Sequence, residues 1–251
     1  MDSSLKTGTV RSFLSGTRLL LRAMEDCGIT VLPLAARKEV TVGTKADRLK
    51  PIRQKALRCR ACRLSTTRHS VVFGEGSLDA KIVFVGEGPG QEEDAQGRPF
   101  VGAAGKLLDK MIQAMGFTRE ELYIANVVKC RPPMNRPPLP DEIASCSGYL
   151  EAQLTTVAPR VICALGKTAA ATLLKTVSPM SQLRGRPHRW RGIPVVVTFH
   201  PAYLLRNPAA KTMVWEDLQR DMNGTYRFTD VFVRRDGRWQ CVASQASRLE
   251  P

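Results

Sequence analysis

Gly86–Gly105 reads GEGPGQEEDAQGRPFVGAAG and begins where the apolar run Lys81-Ile-Val-Phe-Val85 ends. Glycines at the end of a buried strand let backbone close on a ligand, or simply turn the chain tightly into a helix. A nucleotide-triphosphate loop needs a Gly-Lys-Ser/Thr ending whose lysine reaches the phosphates. This stretch runs instead into Gln91-Glu-Glu-Asp94 and then an aromatic, Phe100, which excludes that reading.

Outward from it, near-continuous apolar runs recur at Lys81–Val85, Leu122–Val127, Arg160–Leu165 and Pro194–Phe199. Helix-like stretches fall between and after them, at 104–115, 141–154, 167–175 and 208–222. Such alternation predicts an α/β fold, a three-layer sandwich with a central four-stranded parallel sheet covered on both faces. Gly86, Asn126, Gly166 and His200 each stand at or just past the C-terminal end of one of these strands. Ligands of open α/β sheets bind at that edge, so four segments converge on one expected crevice.

The chain has 251 residues, 43% of them hydrophobic, enough for one main domain with extensions. We divide it into an accessory segment 1–50, with a short helix expected at 11–26, a main domain 51–222 and a tail 223–251. In the tail, Thr229–Val233 and Arg238–Ala243 flank Asp236-Gly237, a hairpin signal. No apolar run approaches the roughly 18 to 20 residues of a membrane span, and Arg18 and Arg22 interrupt the one N-terminal apolar patch. A cytoplasmic protein with no membrane association, acting as a monomer, is expected.

The formal charge of +15 is segregated: Arg48–Gly74 holds eight Lys or Arg and Ala152–Trp215 holds nine, with no Asp or Glu in either. Acid-free basic segments point to a polyanion, because neutralising phosphates releases counterions and drives nucleic-acid binding. Of seven cysteines, Cys163 lies inside an apolar strand, and Cys27 and Cys241 have no partner pattern. Cys59 and Cys62 form a CxxC, Cys130 follows a strand, and Cys146 comes 16 positions later. One pair with two distant singles favours an iron–sulfur cluster over a zinc ribbon, with unpaired structural cysteines the remaining alternative.

Taken together, GEGPG and GRPFVG within 86–102, NVVKCRPP at 126–133, HPAYLLRNP at 200–208 and the four-cysteine spacing resemble family 4 uracil-DNA glycosylases. The resemblance covers about Lys55–Met222. It implies hydrolysis of the N-glycosidic bond of uracil in single- or double-stranded DNA, and a [4Fe-4S] cluster on Cys59, Cys62, Cys130 and Cys146. It further implies that Gly86, Gly88, Glu93, Phe100, Asn126 and His200 bind the base. Phe100 would stack on it, Asn126 would read N3–H and O4, and Glu93 would line the side that rejects the thymine methyl. His200 would stabilise uracil O2, Glu87 would serve catalysis or position water, and Leu204, Leu205 and Arg206 would face DNA and wedge into the gap left by the flipped nucleotide. Gly88 stands where the related family 1 enzymes carry the Asp of GQDPY, so that base is missing. Two other readings stay open. One is a UdgX-like covalent binder, although the KRRIH insertion of those proteins is absent after Cys130. The other is a non-catalytic iron–sulfur or zinc DNA-binding module. The tail resembles the closing hairpin of NTF2-like, SnoaL-type domains.

Overall fold

In the computed structural model of the chain, the described residues are 43–222 and the two strands 226–235 and 238–248. The helix expected at 11–26 lies outside them. The run after Lys81 forms strand β2, Ile82–Gly86, buried at every position. Its neighbours are β3 (Tyr123–Asn126), β4 (Val161–Leu165) and β6 (Ile193–Thr198), and the three pairings that join these four strands are parallel. Two short antiparallel strands, β1 (Glu75–Gly76) and β5 (His188–Trp190), extend the expected four strands to a six-stranded mixed sheet ordered β1-β3-β2-β4-β6-β5.

Side-chain alternation along the strands builds the layers. Val83, Val85, Ala125, Ile162, Ala164, Val195 and Val197 enter one core. It is covered by Leu49 and Ala56 of α1 (Lys45–Leu57), Leu150 and Leu154 of α4 (Pro140–Val157), and Ala169 and Leu173 of α5 (Lys167–Leu174). The alternate residues Ile82, Phe84, Ile124, Cys163, Leu165 and Val196 enter the other core. There they meet Leu108 and Ile112 of α3 (Ala103–Ala114), and Val214 and Leu218 of α8 (Lys211–Met222). A period of two along each strand thus yields the three layers.

Helix α1 crosses the boundary drawn at residue 50. Thr44 caps it, accepting the Asp47 N–H at 3.2 Å while the Asp47 carboxylate accepts the Thr44 N–H at 3.0 Å. With Leu49 and Ala56 buried, the packed unit begins before Pro51. At the other end, β7 (Tyr226–Arg235) and β8 (Arg238–Arg248) form a separate antiparallel pair, as the hairpin pattern predicts. The Asp236-Gly237 turn lies outside the described residues. Among the described residues no helix is long and apolar enough to cross a membrane.

From β2 the chain moves to β3 on one side and then to β4 on the other side of β2. The switch point therefore lies between the C-terminal ends of β2 and β4, where an α/β sheet opens a crevice.

Candidate active site

A cavity of about 1050 Å³ opens at this edge, lined among others by Glu87, Gly88, Glu93, Phe100, Asn126 and His200. Gly86 lies just behind this lining, against Asn126 and Phe100. A Cβ there would lie 2.4 Å from Asn126 Oδ1 and 2.5 Å from the Phe100 ring, so only glycine lets the amide and the ring meet over the end of β2. The last glycine of the opening stretch has a similar use. A Cβ at Gly105 would sit 1.9 Å from the Phe100 carbonyl oxygen, so helix α3 can begin directly beneath the aromatic. Phe100 itself is held at φ 52° and is 5% exposed. Its ring stacks on His200 with centroids 5.4 Å apart and planes inclined by 29°.

Asn126 ends β3 and is 1% exposed, yet its Oδ1 is buried without a hydrogen-bond partner. A buried amide oxygen left unpaired costs about 1–3 kcal/mol, which marks it as an acceptor held ready for a donor from outside. Its backbone is firmly placed. The Asn126 carbonyl accepts from Nζ of the fully buried Lys129 at 2.7 Å, and the same ammonium donates to Gln153 Oε1 at 2.5 Å. Burial pushes the Lys129 pKa down to about 8, against the opposing pull of Cys146 and Cys130.

His200 caps α7 (Pro201–Arg206), its Nδ1 accepting the Ala202 N–H at 3.1 Å. The proton of the neutral ring therefore sits on Nε2. Burial, then the nearby Arg206 charge, lowers the His200 pKa to about 4, with Glu93 pulling weakly the other way. A neutral imidazole with its one N–H donor on Nε2 is the result.

Glu93 reaches the cavity wall, but its carboxylate is already engaged. It accepts the N–H groups of Gly90 at 3.1 Å, Val101 at 3.0 Å and Gly102 at 2.9 Å, clamping both ends of the loop that carries Phe100. Its neighbour Asp94, 5% exposed in α2 (Gln91–Gln96), accepts the N–H groups of His69 and Ser70 at 2.9–3.1 Å. This joins the basic segment to the glycine stretch. Glu87 accepts a hydrogen bond from the hydroxyl of Thr168, in the first turn of α5, across the switch point. Sequence reasoning passed over Thr168; the signal was a hydroxyl two residues after Gly166, where a strand hands over to a helix.

The two leucines of α7 part company. Leu204 is 1% exposed and packs in the α3–α8 core, so the expectation that it faces DNA is corrected, because the helix turns it inward. Leu205 is 47% exposed, and Arg206 lines the cavity.

On the far side of Lys129 lie the four cysteines. Arg68 donates from its guanidinium to Cys130 Sγ at 3.0 Å and to the Cys59 carbonyl at 2.7 Å, and the Lys129 N–H donates to Cys146 Sγ at 3.3 Å. Burial raises the Cys130 thiol and takes Cys146 up to about 11. Cys130 feels Cys62 and Cys59, and Cys146 feels Cys130 and Cys62, so the set converges. Among the described residues no three Cys, His, Asp or Glu side chains are already gathered around a metal position. The donor set nevertheless fits an iron–sulfur group: four thiols, with N–H groups aimed at two of the sulfurs and a cationic flank that stabilises thiolate.

Fold and site together define an α/β protein with an aromatic face and a buried amide set side by side at the crevice of its switch point. The comparisons agree. The model of the Uracil DNA glycosylase superfamily matches residues 73–219. The type-4 uracil-DNA glycosylase of Thermotoga maritima is 48% identical over 199 residues, covering 77% of this chain and 99% of that protein. That of Sulfurisphaera tokodaii is 42% identical over 183 residues, covering 69% and 83%, and that of Archaeoglobus fulgidus 40% over 182 residues, covering 69% and 92%. The chain belongs to the uracil DNA glycosylase superfamily.

Proposed function

We propose that this chain is a type-4 uracil-DNA glycosylase, which hydrolyses the N-glycosidic bond of uracil in DNA, releases free uracil and leaves an abasic site for base excision repair. The observation that carries the reading is the buried, partnerless Oδ1 of Asn126 beside the Phe100 ring. Uracil N3–H supplies the missing donor, and the amide nitrogen faces uracil O4. Cytosine presents an acceptor at N3 and a donor at its exocyclic nitrogen, so both contacts would be mispaired in a buried site.

A base within a duplex cannot reach such a crevice, so the nucleotide is flipped out, at a few kcal/mol of unstacking. The acid-free basic segments hold the strand. Phe100 stacks on the flipped base, and Glu93, by fixing the loop at three N–H groups, sets the wall that leaves no room for a thymine methyl. As the bond between C1′ and N1 breaks, its electron pair passes to uracil and the sugar gains positive charge. The Nε2–H of neutral His200 donates to O2, a contact that strengthens as charge develops there. Water then adds to C1′ through its oxygen, and the proton it gives up is matched by the one the uracil anion takes up at N1 to leave as free uracil. Glu87, oriented by Thr168, holds that water near the sugar.

Cys59, Cys62, Cys130 and Cys146 would hold a [4Fe-4S] cluster, which when bound cross-links the basic segment, the loop after β3 and helix α4. Within the proposal the enzyme acts as a monomer in the cytoplasm, a reducing compartment in which a four-thiol site stays free of disulfides. The main domain of the proposal spans the sheet and its helices, and no activity is assigned to 1–42 or to the hairpin.

Matched oligonucleotides carrying uracil, thymine or cytosine at one position test the proposal. Free uracil and an abasic site are expected from the first only. Binding without release, or a covalent adduct with uracil-DNA, overturns it.

A further inference from the structure

The segment between Cys130 and α4 runs Arg131-Pro-Pro-Met-Asn-Arg-Pro-Pro-Leu139. Pro132, Asn135, Arg136 and Pro137 line the cavity. Among them Met134 stands 92% exposed, at φ 53° and ψ 23°, followed by Asn135 at φ 55°. Left-handed backbone is ordinary for glycine or asparagine and strained for methionine. Full exposure also forgoes the burial that a thioether side chain normally gains. Val177 is as exposed, but none of residues 175–179 lines the cavity.

The tip is not slack. Asn135 and Arg136 donate their N–H groups to the carbonyls of Pro132 at 3.0 Å and Pro133 at 3.1 Å. Arg131 Nε donates to Asn135 Oδ1 at 2.8 Å. Below, the Arg136 guanidinium spans both oxygens of the buried Glu142 at 2.9 and 2.7 Å. A braced base therefore holds a strained apolar tip out into solvent at the rim of the cavity. Strain maintained by its surroundings marks positions where the conformation itself is used.

We propose that Met134 is a contact for duplex DNA, its side chain entering the base stack beside the extruded nucleotide. The inference rests on the glycosylase reading above. Flipping leaves a gap in a duplex, and apolar wedges, methionine among them, fill such gaps between base steps. An unbranched, polarizable side chain adapts to a gap of irregular shape. The exposed Leu205 of α7 supplies a second apolar group next to cavity-lining Tyr203 and Arg206, so the DNA would be met from two segments. A single strand has no facing base and no continuous stack to support, so the contact serves duplex substrate selectively.

The test compares single-turnover uracil release from duplex and single-stranded oligonucleotides of one sequence, using Met134→Ala, Met134→Gly and Val177→Ala as control. The ratio of duplex to single-strand rate should fall roughly tenfold in both Met134 variants and stay unchanged in the control. Met134→Gly should at the same time melt higher than the parent, since it relieves the left-handed strain. A fluorescent base analogue flanking the uracil should brighten less on binding to Met134→Gly. An unchanged ratio, or equal loss on both substrates, overturns the inference while leaving the glycosylase reading intact. A parent protein that releases uracil from neither substrate overturns that reading, and the inference with it.

Discussion

Ala202 donates its backbone N–H to His200 Nδ1 at 3.1 Å, which commits the neutral ring to carry its proton on Nε2. With the pKa lowered from 6.5 to about 4, His200 stays neutral through the physiological range. Activity should therefore show no acid limb from this residue until the pH approaches about 4. Between 6.5 and about 4 the unfolded chain binds the proton that the folded chain refuses, so folding stability should fall as pH falls through this window. His200→Gln should remove that part of the slope. A ring titrating near 6.5 by NMR in the folded protein would contradict this.

Asn126→Leu removes the unpaired Oδ1 together with the recognition it offers. Melting temperature should rise, reflecting about 1 kcal/mol regained. Uracil release should drop by roughly a hundredfold or more. A variant that loses stability and activity together would show that the amide supports the fold instead.

At Gly86 the added Cβ of an alanine would press on both Asn126 Oδ1 and the Phe100 ring, at 2.4 and 2.5 Å. Since neither neighbour can withdraw without closing the base slot, Gly86→Ala should raise KM for uracil-DNA more than about tenfold. The circular dichroism spectrum should be unchanged. A parental KM would place the base elsewhere.

Thr168→Val keeps the shape of the side chain and removes the hydroxyl that Glu87 accepts from. Single-turnover rate should fall roughly tenfold at unchanged DNA affinity. Glu87→Gln should cost less than His200→Ala and Asn126→Ala combined, because the leaving group is stabilised by the latter pair. Greater loss from Glu87→Gln would make water activation the dominant contribution.

Protein purified anaerobically should be coloured, and Cys59→Ser should lose both iron and colour while melting lower. Cys163→Ala, inside β4, should keep the colour. Iron retained in Cys59→Ser would exclude that cysteine from the ligand set.

The four parallel strands and their converging ends were legible because each is a near-continuous apolar run closed by an unusual residue. Helix α1 was not: its sequence KADRLKPIRQKAL is polar, carries Pro51 within it, and buries only Leu49 and Ala56. The pair Thr44 and Asp47 was the readable sign of its start. Strands β1 and β5, of two and three residues, are too short for any period to show. Leu204 and Leu205 are chemically identical neighbours, and only the phase of a six-residue helix decides which one is buried. Glu93 could be placed at the pocket by resemblance, but the three N–H groups it gathers come from the curl of a loop that no spacing rule specifies.

The brevity of β1 and β5 has a consequence for how the protein behaves in a crowd. An open sheet ending in a long flat strand offers free N–H and C=O groups on which another chain can add a strand. Here each border of the six-stranded sheet is closed by a stub, Glu75–Gly76 on one side and His188–Trp190 on the other. Neither stub is long enough to template a neighbour. Molecules crowded side by side therefore gain no long border of the six-stranded sheet on which to add a strand.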